Sequence, residues 1–470
     1  DAACKVSGTL PSSRFALQIG RFDSVTAQSF EGTIDEVRIY NRSLSRQQIL
    51  ALFNNQTGVI VSEEIGKRGE NWSAIVTPND GLNDGPPLRS NLLHLRNAPP
   101  VALAPNMTTS NTTINGTNQN LSVEYGEVID KEGVKNITTW LINGSSIMLL
   151  NMPFEGVNET RSNNAWDYSG YGNNGSDNGG ILWNETGGFD GLGAYTFDGS
   201  DDFINISNNS APYLNPATAI TVAVRVNPIV GGEQRTIIGR WNTDAFTYLL
   251  DIVSDLPRFT VRNSTDTQGI STGTTTLRNH TWYFIVGTYN TTDILLYVNG
   301  AAEGSLSGSI PNAMSSNTEP TYIGKKGDDA TVNFRGTLDE VSIWNRSLSA
   351  PQILAMSRNK TNLTAAEETY RGNNWSVIVT PNDGAEDGNS VHSNTIVILN
   401  TILTHQANPI FNSTDLLSNG TAQNLTLYSR NISDVDNDRI KNITTWLLNG
   451  TSILVLNMPF EGINRTASNN

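Results

Sequence analysis

The side chains of this chain with the greatest capacity for chemistry are its carboxylates. A retaining glycosidase needs two carboxyl groups about 5 Å apart, which alternate residues of one strand can supply. Here the pairs Asp35 and Glu36, and Asp339 and Glu340, are adjacent in the chain. Adjacent residues of a strand point to opposite faces, so we predict that neither pair is catalytic.

The other reactive side chains offer no catalytic arrangement. The histidines His94, His280, His392 and His405 lack the spacing of a zinc site. Cys4 is the only cysteine, so an intrachain disulfide is impossible and a thiol site is not indicated. We therefore predict that the protein is not an enzyme.

Three acidic segments have the oxygen-rich composition that calcium prefers. Residues 434–438 read DVDND, although lysine replaces an acid in their counterpart, residues 130–133, DKEG. Asp198, Asp201 and Asp202 could also hold an ion, but the same residues are ordinary in a turn.

Asparagine carries a signal for modification. The chain has about 28 Asn-x-Ser/Thr sequons, roughly twice the number expected by chance. Either they reflect the turn and strand preferences of Asn and Thr, or they accept N-linked glycans outside the cell, which we favour. The sites that we predict as glycosylated are Asn41, Asn55, Asn71, Asn106, Asn136, Asn143, Asn174, Asn184, Asn205, Asn263, Asn279, Asn290, Asn345, Asn359, Asn374, Asn412, Asn424, Asn442 and Asn449.

Composition limits the possible partners. Only 16% of the 470 residues are charged and the net charge is −15, whereas nucleic-acid binding needs a basic surface. An acidic surface either keeps a secreted protein soluble or binds cations. No apolar run is long enough to span a membrane and no signal peptide opens the chain, so we expect any anchor or signal to lie outside this sequence.

A unit of about 305 residues repeats along the chain. Residues 30–45, FEGTIDEVRIYNRSLS, return at 334–349 as FRGTLDEVSIWNRSLS. The sequence therefore covers about one and a half repeats. The other segments that recur in the same order are 71–81 at 374–384, 136–144 at 442–450, and 150–156 at 456–462.

The elements that must position these residues are mostly strands. Alternating apolar residues predict an all-β module over residues 151–361. Asn299 and Gly300 predict a tight hairpin, because both tolerate positive φ. Ser349 with Gln352 predicts a capping box at the start of a short helix, and the first copy has the same pattern.

Three segments of this module resemble the laminin-G-like, concanavalin-A-like jelly roll. They are FDGSDDF at 197–203, LYVNG at 296–300 and GTLDEVSIWNRSLS at 336–349. Residues 167–175, DYSGYGNNG, are similar to an early loop of that family. The resemblance covers the whole module and implies two stacked antiparallel sheets of roughly a dozen strands.

The resemblance also implies a calcium site at the rim of the sheets. There Asp339 of the last strand would meet Glu155 of the first, and Asp35 would serve in the preceding copy. Alternatively, Asp339 caps a turn or accepts hydrogen bonds from backbone amides.

Jelly rolls of this type often hold carbohydrate at a rim of loops, where exposed aromatic rings stack on sugars. The loop candidates are Trp166, Tyr168, Tyr171 and Trp241, and the alternative is that these are core or edge residues.

The segments on either side resemble halves of one further domain. One half contains Trp140 and the other contains Trp375. Neither half alone has enough strands for a stable sandwich. Together they have the number that an immunoglobulin-like domain needs, and they resemble the PKD and cadherin-like repeats of surface proteins. We infer that the jelly roll is inserted into that domain. The alternative is two separate small domains with the jelly roll between them.

The predicted fold class is all-β, with tandem immunoglobulin-like sandwiches alternating with concanavalin-A-like jelly rolls. The predicted domains are the C-terminal part of a jelly roll (1–57), the second half of an immunoglobulin-like domain (58–97), a whole immunoglobulin-like domain (98–150 plus 362–401), the inserted jelly roll (151–361), the first half of the next immunoglobulin-like domain (402–457) and the first strand of the next jelly roll (458–470).

These features predict a non-enzymatic structural repeat protein of an extracellular filament, sheath or surface layer. The resemblance is to surface proteins of archaea that combine the two modules. The expected cofactors are Ca²⁺ and N-linked glycans, and the expected partners are copies of the protein itself and surface glycans, with no nucleic acid. The alternative function is that of a carbohydrate-binding lectin or adhesin at the cell surface.

Overall fold

Almost all of the regular secondary structure in the described residues is β-strand, which confirms the predicted all-β class. The computed structural model describes residues 17–21, 29–66, 68–111, 115–130, 133–157, 164–207, 214, 216–242, 245–327, 329, 331–401, 404–405, 407–414, 417, 420–429, 432–434 and 440–459. The chain divides into two compact units, Asp1–Glu70 and Asn71–Asn470.

The first unit contains helix α1 (Arg46–Phe53) and a 3₁₀ helix (Ser62–Glu64). The Ser45 hydroxyl accepts the Gln48 amide hydrogen at 3.1 Å, as the predicted capping box requires. The reciprocal bond differs from the prediction. The Gln48 side chain bonds the backbone of residues 59–61, and the carboxylate of Glu64 accepts the Ser45 amide hydrogen at 2.6 Å.

The second unit begins with short strands and then enters the sheets that flank the larger module. The strands in chain order are β1 (Asn71–Trp72), β2 (Ile75–Val76), β3 (Leu88–Arg89), β4 (Leu93–His94), β5 (Val101–Ala102), β6 (Asn106–Thr109), β7 (Leu121–Glu124), β8 (Val128–Ile129), β9 (Lys135–Ile142) and β10 (Ser145–Ser146).

The larger module, which we call the two-sheet module, follows without a break. Its strands are β11 (Met148–Met152), β12 (Ser176–Asn178), β13 (Leu182–Asn184), β14 (Ala194–Asp198), β15 (Phe203–Ile206), β16 (Ile220–Pro228), β17 (Arg235–Asn242), β18 (Ala245–Val253), β19 (Leu256–Arg262), β20 (Gln268–Thr272), β21 (Tyr283–Tyr289), β22 (Ile294–Val298), β23 (Ala301–Glu303), β24 (Ser305–Gly308), β25 (Thr321–Ile323) and β26 (Arg335–Trp344), and helix α2 (Ala350–Ser357) closes it.

The remaining strands follow helix α2, and a 3₁₀ helix (Ala366–Glu368) lies between the first two. They are β27 (Leu363–Thr364), β28 (Asn374–Asn382), β29 (Val391–His392), β30 (Ile396–Val397), β31 (Thr404–His405), β32 (Ile410–Ser413), β33 (Leu425–Tyr428), β34 (Ile432–Ser433), β35 (Leu447–Leu448) and β36 (Thr451–Ser452). We call β5–β10 and β27–β30 the flanking module.

The two-sheet module is built from two antiparallel sheets of eight strands each. One has the order β13-β14-β26-β16-β21-β22-β23, with β11 also pairing β26, and the other has the order β12-β15-β25-β17-β18-β19-β20-β24. Alternate residues of the facing strands, among them Val222, Ile238 and Phe259, are fully buried between the sheets. This two-layer core is the arrangement that alternating apolar strands require.

The flanking module draws its central sheet from both sides of the two-sheet module. β9 pairs β28 antiparallel along its whole length, with Trp140 opposite Val377. The rings of Trp140 and Trp375 meet edge to face, with centroids 5.9 Å apart. The hypothesis that the jelly roll is inserted into a flanking domain requires this pairing. The positions of the domain boundaries stay predictions.

One hydrophobic cluster joins the flanking module to the two-sheet module. It includes Trp140 and Trp375 of the flanking module together with Phe284 and Trp344 from the outer face of the first sheet. Ile353 of α2 belongs to the same cluster. Because the two modules share this core, their packing fixes the shape of the cavity that lies between them.

Candidate functional site

The Asp-Glu pair of β26 lies where the two modules meet, in an irregular stretch of strand. Pairing between β16 and β26 shifts register between Ala223 and Arg225, and Glu340 has a positive φ of 52°. A bulge interrupts the alternation of side chains along a strand. Leu338 and Val341, on either side of the pair, both belong to the core, so Asp339 and Glu340 lie together on the other face of the strand, and the prediction that they point to opposite faces is wrong.

Lys135 of β9 brings a positive charge from the flanking module into these carboxylates. Its Nζ lies 2.6 Å from Glu155 Oε1 and 2.7 Å from Asp190 Oδ2, and it also contacts Glu340. We call Lys135, Glu155, Asp190, Asp339 and Glu340 the lysine cluster. Sequence reasoning missed Lys135 and Asp190, although Lys135 recurs as Lys441 in the next copy.

The acidic members of the lysine cluster are held by backbone amides as well. Asp339 accepts hydrogen bonds from the amides of Phe189 at 2.9 Å and Glu340 at 2.8 Å. Glu155 accepts one from Gly193 at 2.8 Å, where a side chain would collide with the carbonyl of Phe154. These bonds match the alternative prediction that Asp339 accepts backbone amides.

Burial and the closeness of several charges shift the pKa values of residues in the lysine cluster. Burial raises the pKa of Glu155 to about 7, and the neighbouring Lys135 ammonium opposes this rise. Burial, reinforced by the charge of Glu340, raises the pKa of Asp339 well above its usual range. Burial acts to lower the pKa of Lys135, but the surrounding carboxylates overcome it and hold that pKa well above the ordinary value.

The same geometry bears on the predicted calcium ligands. Oxygen atoms of Glu155, Asp190 and Glu340 lie within 4.8 Å of one another, a spacing that suits a metal ion. The Lys135 ammonium already occupies the space among them, so these residues do not fit a calcium ion while Lys135 is in place. Asp35, in the first unit, is exposed and accepts the Glu36 amide hydrogen at 2.9 Å.

A cavity of about 400 Å³, which we call the cleft, opens beside the lysine cluster between the two modules. Its wall combines aromatic rings with charged and amide groups, the usual make-up of a small-molecule site. The residues that carry the argument are the rings Tyr125, Trp140, Phe284 and Trp344, and the polar groups Lys135, Asn136, Asp190, Arg225, Glu340 and Asn359.

Arg225 is fixed rigidly in the cleft wall. Its guanidinium lies 4.0 Å from the centre of the Phe189 ring and 4.5 Å from that of Phe284. It also donates hydrogen bonds to the carbonyls of Met356 and Ser357, at 3.0 and 2.9 Å. Asn136, by contrast, has a buried Oδ1 with no hydrogen-bond partner among the described residues.

The four aromatic residues predicted to lie on loops have different environments. Trp166 is exposed, whereas the hydroxyls of Tyr168 and Tyr171 donate internally, to Asp387 and to the Ser146 carbonyl. Trp241 is a buried residue of β17 and packs on Phe246, with ring centroids 4.9 Å apart. Its prediction as a loop residue is wrong, because β17 and β18 remain paired as far as Asn242.

The other acidic segments are accounted for in part. The Asp202 carboxylate accepts the amide hydrogen of Asp198, and the Asp198 carboxylate accepts that of Ser200, as in an ordinary turn. The carboxylates of Asp198, Asp201 and Asp202 are nevertheless close enough together to hold an ion. In the predicted loops at 434–438 and 130–133, residues 435–438 and 131–132 lie outside the described residues.

The sequons lie mostly at the surface. Every predicted glycosylation site is exposed except Asn136, Asn205, Asn263 and Asn412, which are half-buried. Glycosylation stays a prediction at all of them.

Residues 198–354 match the laminin G family model described as the concanavalin A-like lectin/glucanases superfamily. No curated protein matches the chain in sequence. No helix in the described ranges is long and apolar enough to cross a membrane.

Several solved structures are similar to this chain. The binding domain of Paraclostridial mosquitocidal protein 1 is 14% identical with a TM-score of 0.37, and the match covers 45% of this chain and 52% of that one. Domain 4 of AbnA, a GH43 extracellular arabinanase of Geobacillus stearothermophilus in complex with arabinotriose, is 15% identical with a TM-score of 0.35, covering 45% and 98%. The binding domain of botulinum neurotoxin DC in complex with SialylT is 14% identical with a TM-score of 0.35, covering 46% and 52%.

The chain thus spans about half the length of the two toxin domains. The family match and the two stacked sheets together identify the two-sheet module as a concanavalin A-like domain.

Proposed function

We propose that this protein binds carbohydrate without catalysing a reaction, and that the cleft is its binding site. The observation that carries the proposal is the cleft itself, about 400 Å³ in volume and walled by rings and polar groups from two modules. The description of the matched family as lectins and glucanases agrees with it.

The chemistry of the wall suits a sugar. One face of a sugar ring is apolar and packs against an aromatic side chain such as Tyr125, while its hydroxyls need donors and acceptors in fixed positions. Glu340 and the orphaned Oδ1 of Asn136 supply acceptors, and the amide of Asn359 supplies a donor. A hydroxyl donating to Asn136 would remove the cost of leaving that buried oxygen unpaired.

The state of the carboxylates supports a role in binding. A retaining glycosidase needs one ionised carboxylate free to attack and one protonated carboxyl free to donate. Glu155 and Asp190 are held by the Lys135 ammonium, and the buried Asp339 by backbone amides.

A glycan array followed by titration calorimetry tests the proposal. We expect the wild-type chain to bind at least one class of oligosaccharide, and Asn136→Ala or Tyr125→Ala to weaken that binding at least tenfold, about 1.4 kcal/mol. Tyr370→Ala is the matched control, since Tyr370 is an exposed aromatic residue outside the cleft wall. Unchanged affinity in both cleft variants, or no binding to any glycan, would overturn the proposal.

A structural role is the second candidate, and the repeat supports it. Ser349 and Glu368 in the second unit reproduce the hydrogen bond that Ser45 and Glu64 make in the first, at 2.7 and 2.6 Å. In this proposal the flanking module is immunoglobulin-like, and the protein is an N-glycosylated, archaeal-type repeat of an extracellular filament, sheath or surface layer. Electron microscopy of native material and mass spectrometry of its sequons test it, and a dispersed, unglycosylated protein would contradict it.

A further inference from the structure

Two aromatic rings lie beside the cleft without forming part of its wall. Phe189 is 39% exposed and Trp282 is half-buried, and their rings meet edge to face with centroids 6.1 Å apart. Neither residue lines the cleft, but Asp190, the residue after Phe189, does. The two rings therefore form an aromatic surface at the margin of the cleft, which we call the aromatic shelf.

The aromatic shelf is joined to the cleft wall through Arg225. The guanidinium of Arg225 lies 4.0 Å from the centre of the Phe189 ring and 4.5 Å from that of Phe284. Arg225 and Phe284 both line the cleft. A ligand that extends from the cleft past Arg225 therefore reaches the ring of Phe189.

The position of Phe189 is fixed by its own backbone. The Gly188 amide donates to the Leu192 carbonyl at 2.7 Å, which closes a tight turn, and the Phe189 amide donates to Asp339 Oδ2 at 2.9 Å. A Cβ at Gly188 would lie only 2.8 Å from the same Asp339 oxygen, so the turn has no room for a larger residue. A ring held in this way loses little conformational freedom when a ligand packs on it, which favours affinity.

Trp282 adds a polar group to the aromatic shelf. Its indole Nε1 is accessible and donates to no acceptor in the described part of the chain. The indole N–H can only donate, and a sugar hydroxyl can accept its hydrogen. Single exposed apolar side chains are common, but apolar surface that continues from a cavity is typical of a ligand-binding groove.

We propose that the aromatic shelf is a second sugar subsite, continuous with the cleft, and that the ligand is an oligosaccharide and not a single sugar. This subsite depends on the carbohydrate-binding function proposed for the cleft. One residue of the oligosaccharide lies in the cleft, and a later residue of the same chain packs on Phe189 and Trp282. Because the two sugars are linked, the second contact forms within the complex and raises the overall affinity.

Titration calorimetry with neutral oligosaccharides of graded length tests the second subsite. The probes are the β-1,4-linked oligomers of glucose, mannose and N-acetylglucosamine, from single sugars up to hexasaccharides, and the same series for the best ligand on the glycan array. We expect the affinity of the wild type to rise about tenfold once the oligomer is long enough to reach the aromatic shelf. Trp282→Ala should remove this rise, so that long and short oligomers bind it equally, and Trp282→Phe should retain most of the rise.

Trp166→Ala is the matched control, because Trp166 is a tryptophan that is 43% exposed and lies outside the cleft wall. It should show the same rise in affinity with length as the wild type. An unchanged melting temperature shows that each variant is folded, and Phe189→Ala provides a second variant of the aromatic shelf.

The outcomes separate the second subsite from the cleft. A wild type whose affinity does not rise with length, or a rise that persists in both Trp282→Ala and Phe189→Ala, would overturn the second subsite. If Asn136→Ala still weakens binding in that case, the cleft remains the binding site. No binding by any probe would overturn both proposals.

Discussion

Lys135 supplies the positive charge for four carboxylates, two of them buried away from water and two of them lining the cleft. Glu155 and Asp339 are fully buried, and unpaired carboxylates in such surroundings would cost several kcal/mol each. The ammonium of Lys135 comes from the flanking module, while all of its carboxylate partners belong to the two-sheet module. The carboxylates of the two-sheet module are therefore neutralised only when the flanking module places Lys135 beside them.

Replacing this lysine should destabilise the protein and open the carboxylates to a metal ion. We predict that Lys135→Met, which keeps the length of the side chain, lowers the free energy of unfolding by about 3–5 kcal/mol. Millimolar Ca²⁺ should then raise the melting temperature of the variant by more than it raises that of the wild type. Differential scanning calorimetry measures both effects.

The control for this prediction is Lys325→Met, because Lys325 lies over the Phe203 ring and away from the cluster. Its melting temperature should respond to calcium as the wild type does. A wild type stabilised by calcium as strongly as Lys135→Met would contradict the account of Lys135.

Within the lysine cluster, the sequence predicted some of the residues that meet and missed others. The meeting of Asp339 with Glu155 followed from the resemblance, since the first and last strands of such a module are neighbours. The face of β26 on which Glu340 lies could not be predicted, because the alternation of residues along a strand does not reveal a bulge. Lys135 was missed because it belongs to a different module, about 200 residues before Glu340 in the chain.

Among the elements, β9 and β28 hold the two modules together. They pair over eight residues, and the cluster around Trp140 and Trp375 continues onto the outer face of the two-sheet module. A core shared between modules makes their unfolding cooperative, so neither should unfold alone.

Truncating Trp375 tests this cooperativity. We predict that Trp375→Ala lowers the free energy of unfolding by about 3–5 kcal/mol, as expected for a fully buried tryptophan. Both modules should still unfold in one calorimetric transition, displaced to lower temperature.

Trp72→Ala is the matched control for this substitution. Trp72 is the counterpart of Trp375 in the preceding copy of the repeat and is only half-buried, so its loss should cost less. Two separate transitions, with Trp375→Ala moving only one of them, would contradict the shared core.

The elements themselves were largely predictable. Asn299 and Gly300 form the predicted tight hairpin, with φ of 51° and 85° and Val298 paired to Ala301. Local alternation and turn chemistry were sufficient there. The strand containing Trp241 was not predictable, because polar residues beside it suggest a turn while its pairing with β18 depends on contacts across the sheet.

In the molecule as a whole, the candidate site exists only because two modules meet. Tyr125, Asn136 and Trp140 line the cleft from the flanking module, and Phe284 and Glu340 line it from the concanavalin A-like domain. Neither module alone has the cleft, so its position could not be predicted from the properties of either one.

The most direct test of the account is a crystal structure of the full chain with an oligosaccharide selected on the glycan array. We predict that a sugar ring lies in the cleft, packed on Tyr125 and hydrogen-bonded to Asn136 Oδ1 and Glu340. Density for the sugar at the exposed loops of the two-sheet module, with the cleft empty, would contradict the account.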